Sequence, residues 1–395
     1  MNRFQTLIFY FILFYISAFF ADRYQKFMSS QSFFLINHTK QFKSKRRLLI
    51  LCIVLPIILM QGLRLNVGTD YQNYYWRVVS ISSGNIQVIR SYLSQPLFLA
   101  ECYLVGKVFR NPLCFFFFDS VIMNIILFKV FDHYRNKINM KLAYMLYYSI
   151  VFMMFVNIER QAVSCLIVWY AYRYIQEKNF KKYIFTILLA CSFHTSAIFF
   201  LIIYFIVKTE KNKKIMEVAL FVGVIAFVLF SSNITRILNI FMDIDADSVY
   251  INKTHQQMHF SALLYLFMFY IPNIVMMYLP RRNKNGFSFF IKNGSFFFKS
   301  FKSNVSNYLI YVCDILTIAF VLSEAIVSYG SRFGYYTYFG LIIGVSSSYN
   351  NLKNKLHKHL FFAYFTIASI VYFIRIYYII GQAQVFPYRS IFEII

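Results

Sequence analysis

Two short polar stretches in an otherwise oily chain carry the residue types that chemistry would need. One is Arg64-Leu-Asn-Val-Gly-Thr-Asp70-Tyr71; the other is Asn157-Ile-Glu159-Arg160-Gln161. Each sets an arginine and a carboxylate at the end of a hydrophobic segment. A charge at a membrane boundary that is not part of a basic anchor marks a functional candidate. A plainer reading stands beside it, in which Arg64 and Arg160 only snorkel to lipid headgroups. Arginine suits bidentate binding of phosphate or carboxylate, because its planar fork meets two oxygens at once. Asp70 could act as general base toward a hydroxyl, or pair with Arg64 or Arg77. Glu159, beside Arg160, carries the same ambiguity. His194 lies in an apolar run, where it could donate to a phosphate or relay a proton. A lone histidine in a helix is also commonly just hydrogen-bonded to a neighbour.

The elements that position these groups are read from composition. The 395 residues are 59% hydrophobic and 14% charged, with 49 Phe and 33 Tyr. Nearly every window of about 20 residues holds an apolar run that could span a bilayer. The sequence therefore predicts an all-α, polytopic helical membrane protein with about 10–13 membrane helices or half-helices. A soluble domain of this length would carry far more charge. No long soluble segment interrupts residues 1–395, which read as a single integral membrane domain. The net charge of +25 sits in short loops between apolar runs, where it sets topology rather than binding nucleic acid. The six cysteines lie in apolar runs without a CxxC pair, so neither a disulfide framework nor a metal framework is expected. The apolar run 4–20 is followed at once by basic residues from Arg23 to Arg47, which favours an uncleaved first helix over a signal peptide.

Loop charge orders the chain across the membrane. The basic loops 21–47 and 281–303 are expected on the cytoplasmic side. Helix 48–63 then delivers Arg64 and Asp70 to the outer face. The outer loop 64–95 brings Tyr71, Tyr74, Tyr75 and Trp76 together, as an interfacial belt or as stacking platforms for sugar rings. Residues 96–109 read as a short helix on the outer side, and 113–130 as a crossing. Helix 142–157 returns to present Asn157 to Gln161, and 161–177 descends again. The run 183–207 has basic residues at both flanks. It is either a hairpin broken near Ser192-Phe-His194 or one crossing that departs from the positive-inside rule; a hairpin turn at membrane depth must line a protein-enclosed cavity. With the hairpin, a helix over 215–231 rises to the outer loop 232–259. Arg332 and the tail Pro387-Tyr388-Arg389 then share the outer side with Arg64, Asp70 and Arg160.

Other patterns are weaker. Asp243-Ile-Asp245-Ala-Asp247 resembles a carboxylate metal cluster, but a solvated outer loop explains it more simply. His255 and His259 have metal spacing on a helix face and lack a third ligand. There is no phosphate-cradling glycine loop and no serine elbow.

At these residues the chain resembles the EpsG family of bacterial exopolysaccharide and O-antigen (Wzy-type) polymerases. The similarity runs through Arg64-x-x-Val67-Gly68-Thr69-Asp70-Tyr71, through Asn157-x-x-Arg160-Gln161, and through the run around His194. Arg332 and Phe386-Pro387-Tyr388 add weaker matches in the same order. Gln95, before Pro96, stands where an acidic residue is expected. The resemblance implies a multi-pass protein of the bacterial inner membrane with its site facing the periplasm or outside. It implies polymerisation of undecaprenyl-pyrophosphate-linked oligosaccharide, with one such molecule as donor and another as acceptor. It needs no cofactor; its partners are membrane lipids, and a flippase and a chain-length regulator belong to the same setting. Asp70, His194 and Glu159 are then the catalytic candidates. Arg64, Arg160, Gln161, Arg332, Tyr71, Tyr388 and Arg389 are the candidates for pyrophosphate or substrate binding. A transporter of the same lipids and a polysaccharide acyltransferase using His194 are the competing classes.

Overall fold

The computed structural model of the chain describes residues 1–30, 40–208, 265–273, 305–323 and 330–393. Apart from one bridge pair, Arg64 with Ser390, the regular elements among these residues are helical. Helix α1 spans Arg3–Ser29, opened by a capping box in which Asn2 and Gln5 satisfy each other's backbone N–H groups. Helix α2 spans Lys40–Gly62. Short helices α3 (Tyr71–Ser82) and α4 (Ile86–Ser91) follow, then α5 (Pro96–Val108), which begins on a proline. Proline suits a first turn, where its missing N–H costs nothing. Helix α6 is Leu113–Tyr134, and α7 is Met140–Asn157 with a π turn inside it. Helix α8 is Glu159–Gln176 and α9 is Phe180–Cys191; a 3-10 turn, Thr195–Leu201, leads into α10, Ile202–Lys208. The last four are α11 (Val305–Ser323), α12 (Gly330–Thr337), α13 (Phe339–Asn351) and α14, which runs through Lys355–Ile379.

Among the described residues four helices, α1, α6, α7 and α14, are long and apolar enough to cross a membrane. Their burial ranks them. The core of α7 is 83% buried against 33% for α1, so α7 is the central pole and α1 an outer stave. Aromatic rings from α7 and α8 fill the space around the pole. Trp169 meets Tyr147, Phe155 and Phe339 edge-on or tilted, with centroids 6.1–6.3 Å apart. On α2, Leu48, Leu51, Leu55 and Leu59 recur at helical spacing and are exposed. A one-sided leucine stripe of this kind suits lipid tails.

Two expectations change in detail, and one that was left open is resolved. Loop 21–47 is largely helix at its ends, because α1 continues to Ser29 and α2 starts at Lys40. Its lysines and arginines have good helix propensity and do not end a helix. The loop expected on the outer face, 64–95, holds α3 and α4, whose amphipathic patterns are too short to read as spans. The run 183–207 turns back on itself. Tyr183 donates its hydroxyl to the Phe200 carbonyl at 2.6 Å, and the Phe180 ring lies 4.9 Å from that of Tyr204. The expected helix 215–231, the loops 232–259 and 281–303, Asp243, Asp245, Asp247, His255 and His259 lie outside the described residues.

The hairpin has a direct test. In a continuous helix the residues at 180 and 204 would stand about 36 Å apart. Phe180→Cys combined with Tyr204→Cys, in a background without the six native cysteines, is expected to form a disulfide under mild oxidation. A pair that stays reduced while each single cysteine remains reactive would contradict the fold.

Candidate functional site

The first motif is a tight loop between α2 and α3. Asn66 and Gly68 both take positive φ, and a Cβ on Gly68 would sit 3.2 Å from the Asn157 side-chain oxygen. Glycine is the residue that meets both demands. The Asn157 oxygen accepts from the Thr69 hydroxyl at 2.8 Å and the Asp70 N–H at 2.9 Å, tying the first motif to the second. On the other flank the C-terminal segment lies across the loop. Gly68 and Thr69 donate their N–H groups to the carbonyls of Gln384 and Ala383, and Leu65 donates to that of Arg389. Tyr388 is buried and donates its hydroxyl to the Met60 carbonyl at 3.0 Å; the Arg389 side chain is exposed.

Arg64 is buried at 2% exposure, and its guanidinium is turned inward. It donates to the carbonyls of Gln61, Val67 and Val156 and to Glu159 Oε1, the last at 2.7 Å. Its face rests on the Phe116 ring, 4.7 Å from the centroid. Glu159 is fully buried. The carboxylate partner of Arg64 is therefore Glu159, not Asp70, which settles the pairing left open by sequence. The Asp70 carboxylate is half-buried at the head of α3 and makes no hydrogen bond or ion pair with the described residues. Tyr71 is buried and stacked on Phe116, with ring centroids 4.1 Å apart, and Tyr74 stacks on Phe115. These two rings are packing, whereas Trp76 is 60% exposed.

Arg160 differs from Arg64 in its surroundings. It is half-buried, with its guanidinium over the rings of Tyr92 and Phe98, 5.0 and 5.4 Å from their centroids. One terminal nitrogen donates to Gln95 Oε1 at 2.7 Å, and its backbone N–H meets the Tyr74 hydroxyl. Its Nε is buried with no hydrogen-bond partner. No carboxylate pairs with Arg160 among the described residues. Gln161 donates to the Arg332 carbonyl at 2.9 Å, which brings the start of α12 to the head of α8.

His194 caps the 3-10 turn at the tip of the hairpin, 7% exposed. The Ser192 carbonyl at the same tip accepts the N–H groups of Leu97 and Phe98, so the free end of α5 is pinned there. Arg160 and Arg332 both lie within electrostatic reach of the His194 ring. The fold thus gathers Arg160, Gln161, Arg332 and His194 in one place, and Asp70 and Arg160 both lie within electrostatic reach of the Tyr74 hydroxyl. Arg64, Glu159, Tyr71 and Tyr388 form the frame around this place. Sequence reasoning missed Gln95 as the partner of Arg160, and missed Tyr92, Phe98 and the linked hydroxyls of Ser196, Tyr336 and Ser164 behind His194. A signal existed for two of them: Ser164 and Tyr336 stand one helical turn after Arg160 and Arg332, on the same faces.

The pairing makes a stability forecast. Removing one partner of a buried ion pair leaves an uncompensated charge and costs about 3–5 kcal/mol. Arg64→Ala and Glu159→Ala should each sharply lower the amount of folded protein in the membrane. Asp70→Asn should leave it near wild type. Thermal unfolding in detergent, followed by size-exclusion chromatography, measures all three, and equal losses would contradict the assignment.

No curated protein and no solved structure gives a significant match. The model of the EpsG family matches residues 47–390, a span that reaches from the first turns of α2 to the C-terminal segment and takes in each polar group described above. The chain belongs to the EpsG family, membrane proteins linked to exopolysaccharide biosynthesis.

Proposed function

We propose that this chain is a polysaccharide polymerase. It joins undecaprenyl-pyrophosphate-linked oligosaccharide repeats on the outer face of the bacterial inner membrane. The growing chain on its lipid is the donor, and the terminal sugar hydroxyl of one incoming repeat attacks its anomeric carbon. The pyrophosphate already present is a competent leaving group, so the protein needs positioning, stabilisation of the departing charge and one base. No nucleotide and no metal enters the scheme.

The observation that supports this reading best is the state of Arg160. A half-buried guanidinium, held by a neutral glutamine and two rings, has no carboxylate partner among the described residues and one buried N–H without an acceptor. An anion seated there meets both needs, and a pyrophosphate oxygen is such an anion. Gln95 matters for the same reason: a carboxylate in its place would cancel the charge that Arg160 offers. Arg332, at the start of α12, adds a second cation. Asp70, a carboxylate without a partner among the described residues, is suited to take the proton of the acceptor hydroxyl. Arg64 and Glu159 support that site as a neutral, buried pair, and Arg389 offers an exposed charge at its rim.

The test is polymer formation from purified lipid-linked repeats in nanodiscs, with no nucleotide and no acyl donor. A ladder of products separates a polymerase from a transporter and from an acyltransferase. Within that assay Arg160→Lys should behave like Arg160→Ala. Lysine keeps the charge and loses the planar fork. A charged hydrogen bond is worth about 1.5–3 kcal/mol, or on the order of 10- to 150-fold in rate when it acts in the transition state. Full-length product from Arg160→Lys at equal protein level would remove Arg160 from the site.

A further inference from the structure

A further arginine stands beside Arg160, and the proposed reaction does not yet use it. Arg77 is half-buried on α3. It makes no hydrogen bond and no ion pair with the described residues. Its guanidinium rests on two rings. It is 5.2 Å from the centroid of Tyr74, one turn earlier on the same helix, and 5.6 Å from that of Tyr92. Tyr92 is also a ring under Arg160, whose guanidinium is 5.0 Å from the same centroid. One tyrosine therefore carries two arginines, one from α3 and one from α8. The two charges can be no further apart than those two distances laid end to end.

The rings are themselves fixed. Tyr92 and Tyr74 both meet Phe98 edge-on, with centroids 5.3 and 6.3 Å from it. Gln95 donates its backbone N–H to the Tyr92 carbonyl at 2.9 Å, and its side chain accepts from Arg160. The turn that seats Tyr92 is thus the turn that supplies the neutral partner of Arg160. Positive charge is left over. Of the carboxylates within reach of the Tyr74 hydroxyl, Glu159 is paired with Arg64, and Asp70 pairs with neither Arg77 nor Arg160. Two like charges gathered on one ring repel, and an anion between them turns that repulsion into attraction. A diphosphate ester suits the arrangement. Each of its two phosphates carries one negative charge and two non-bridging oxygens, and each such pair of oxygens matches one guanidinium fork.

We infer that Arg77 and Arg160 form a clamp on the diphosphate of a lipid-linked substrate, one guanidinium to each phosphate, with Tyr92 as the shelf that spaces them. The inference rests on the function proposed above and adds what the site selects, a diphosphate over a monophosphate. Arg160 alone would accept either, since one fork engages one phosphate. Arg77 supplies the contact that only a second phosphate can fill. Tyr92 is a positioning residue: it touches no substrate in this scheme and acts through the two guanidiniums it carries.

Binding of two probes to the purified full chain in phosphatidylcholine nanodiscs tests the clamp: undecaprenyl pyrophosphate and undecaprenyl phosphate. Wild type should prefer the pyrophosphate. Arg77→Gln should weaken pyrophosphate binding on the order of 10- to 150-fold, the size of one charged hydrogen bond. It should weaken monophosphate binding far less, because a single phosphate keeps Arg160. Arg77→Lys keeps the charge on the rings and guards against a folding loss; without the fork it too should lose most of the preference. Tyr92→Phe keeps the ring and should bind like wild type, whereas Tyr92→Leu should lose the preference. Arg90→Gln, at an exposed arginine of α4, should change neither affinity. No preference in wild type, a full preference in folded Arg77→Gln or Arg77→Lys, or equal losses for both lipids overturns the clamp. A full preference in Tyr92→Leu overturns the shelf. A protein that binds with the expected pattern yet makes no polymer from lipid-linked repeats would instead count against the proposed function and leave the clamp standing.

Discussion

The buried contact between Arg64 and Glu159 is the constraint on which the rest of the site depends. Its two charges are 2.7 Å apart at 1% and 0% side-chain exposure. Ionised groups removed from water survive only when paired and hydrogen-bonded. Arg64 meets that requirement with three carbonyls as well as the carboxylate. Because those carbonyls belong to α2, to the first motif and to α7, the pair fixes three backbone segments at once. Glu159 is also the residue before Arg160. Once Glu159 is turned inward to Arg64, the helical step of about 100° carries Arg160 onto a different face, where it meets Gln95, Tyr92 and Phe98. One arginine is used up to aim the other.

This division of labour explains why the two arginines look alike in sequence and differ in space. Both end hydrophobic runs, and both stand near a carboxylate in the chain. Only burial and partners separate them: Arg64 is closed on all sides, whereas Arg160 keeps an unmatched N–H and a neutral acceptor. Aromatic residues complete the contrast. Phe116 packs flat against the neutralised guanidinium of Arg64, and Tyr92 and Phe98 shield the charged one without cancelling it.

Much of the helical frame was legible because its signals are local. Apolar runs gave α1, α6, α7 and α14, and Asn111-Pro112 gave the break between α5 and α6; a hairpin near Ser192-Phe-His194 was one of two readings of 183–207 that loop charge left open. The polar loop 64–95 hid α3 and α4, since two short helices that pack on neighbours need no long periodic pattern. At the site, residue types pointed to both motifs but not to their partners. The Arg64–Glu159 contact joins residues 95 apart, and Asp70 was the nearer carboxylate in the chain. Gln95 was noticed as a departure from an expected acid; its meaning came only with the Arg160 contact. The hydroxyl chain behind His194 uses serine and tyrosine, which are too common in this sequence to stand out.

The segment that crosses the first motif near residues 383–391 bears on how the molecule is made. Tyr388 is bonded to a carbonyl 328 residues earlier, and the amides of Leu65, Gly68 and Thr69 find their acceptors only in this late part of the chain. As the ribosome delivers the helices in order, the loop holding Asp70 must wait in the membrane with those donors unmet. Contacts of such long sequence separation form last, because closing the chain between them is entropically costly. The loop would therefore stay unassembled until residues 383–391 have been made, and a nascent chain that stalled before them would occupy the bilayer without a finished Asp70 loop.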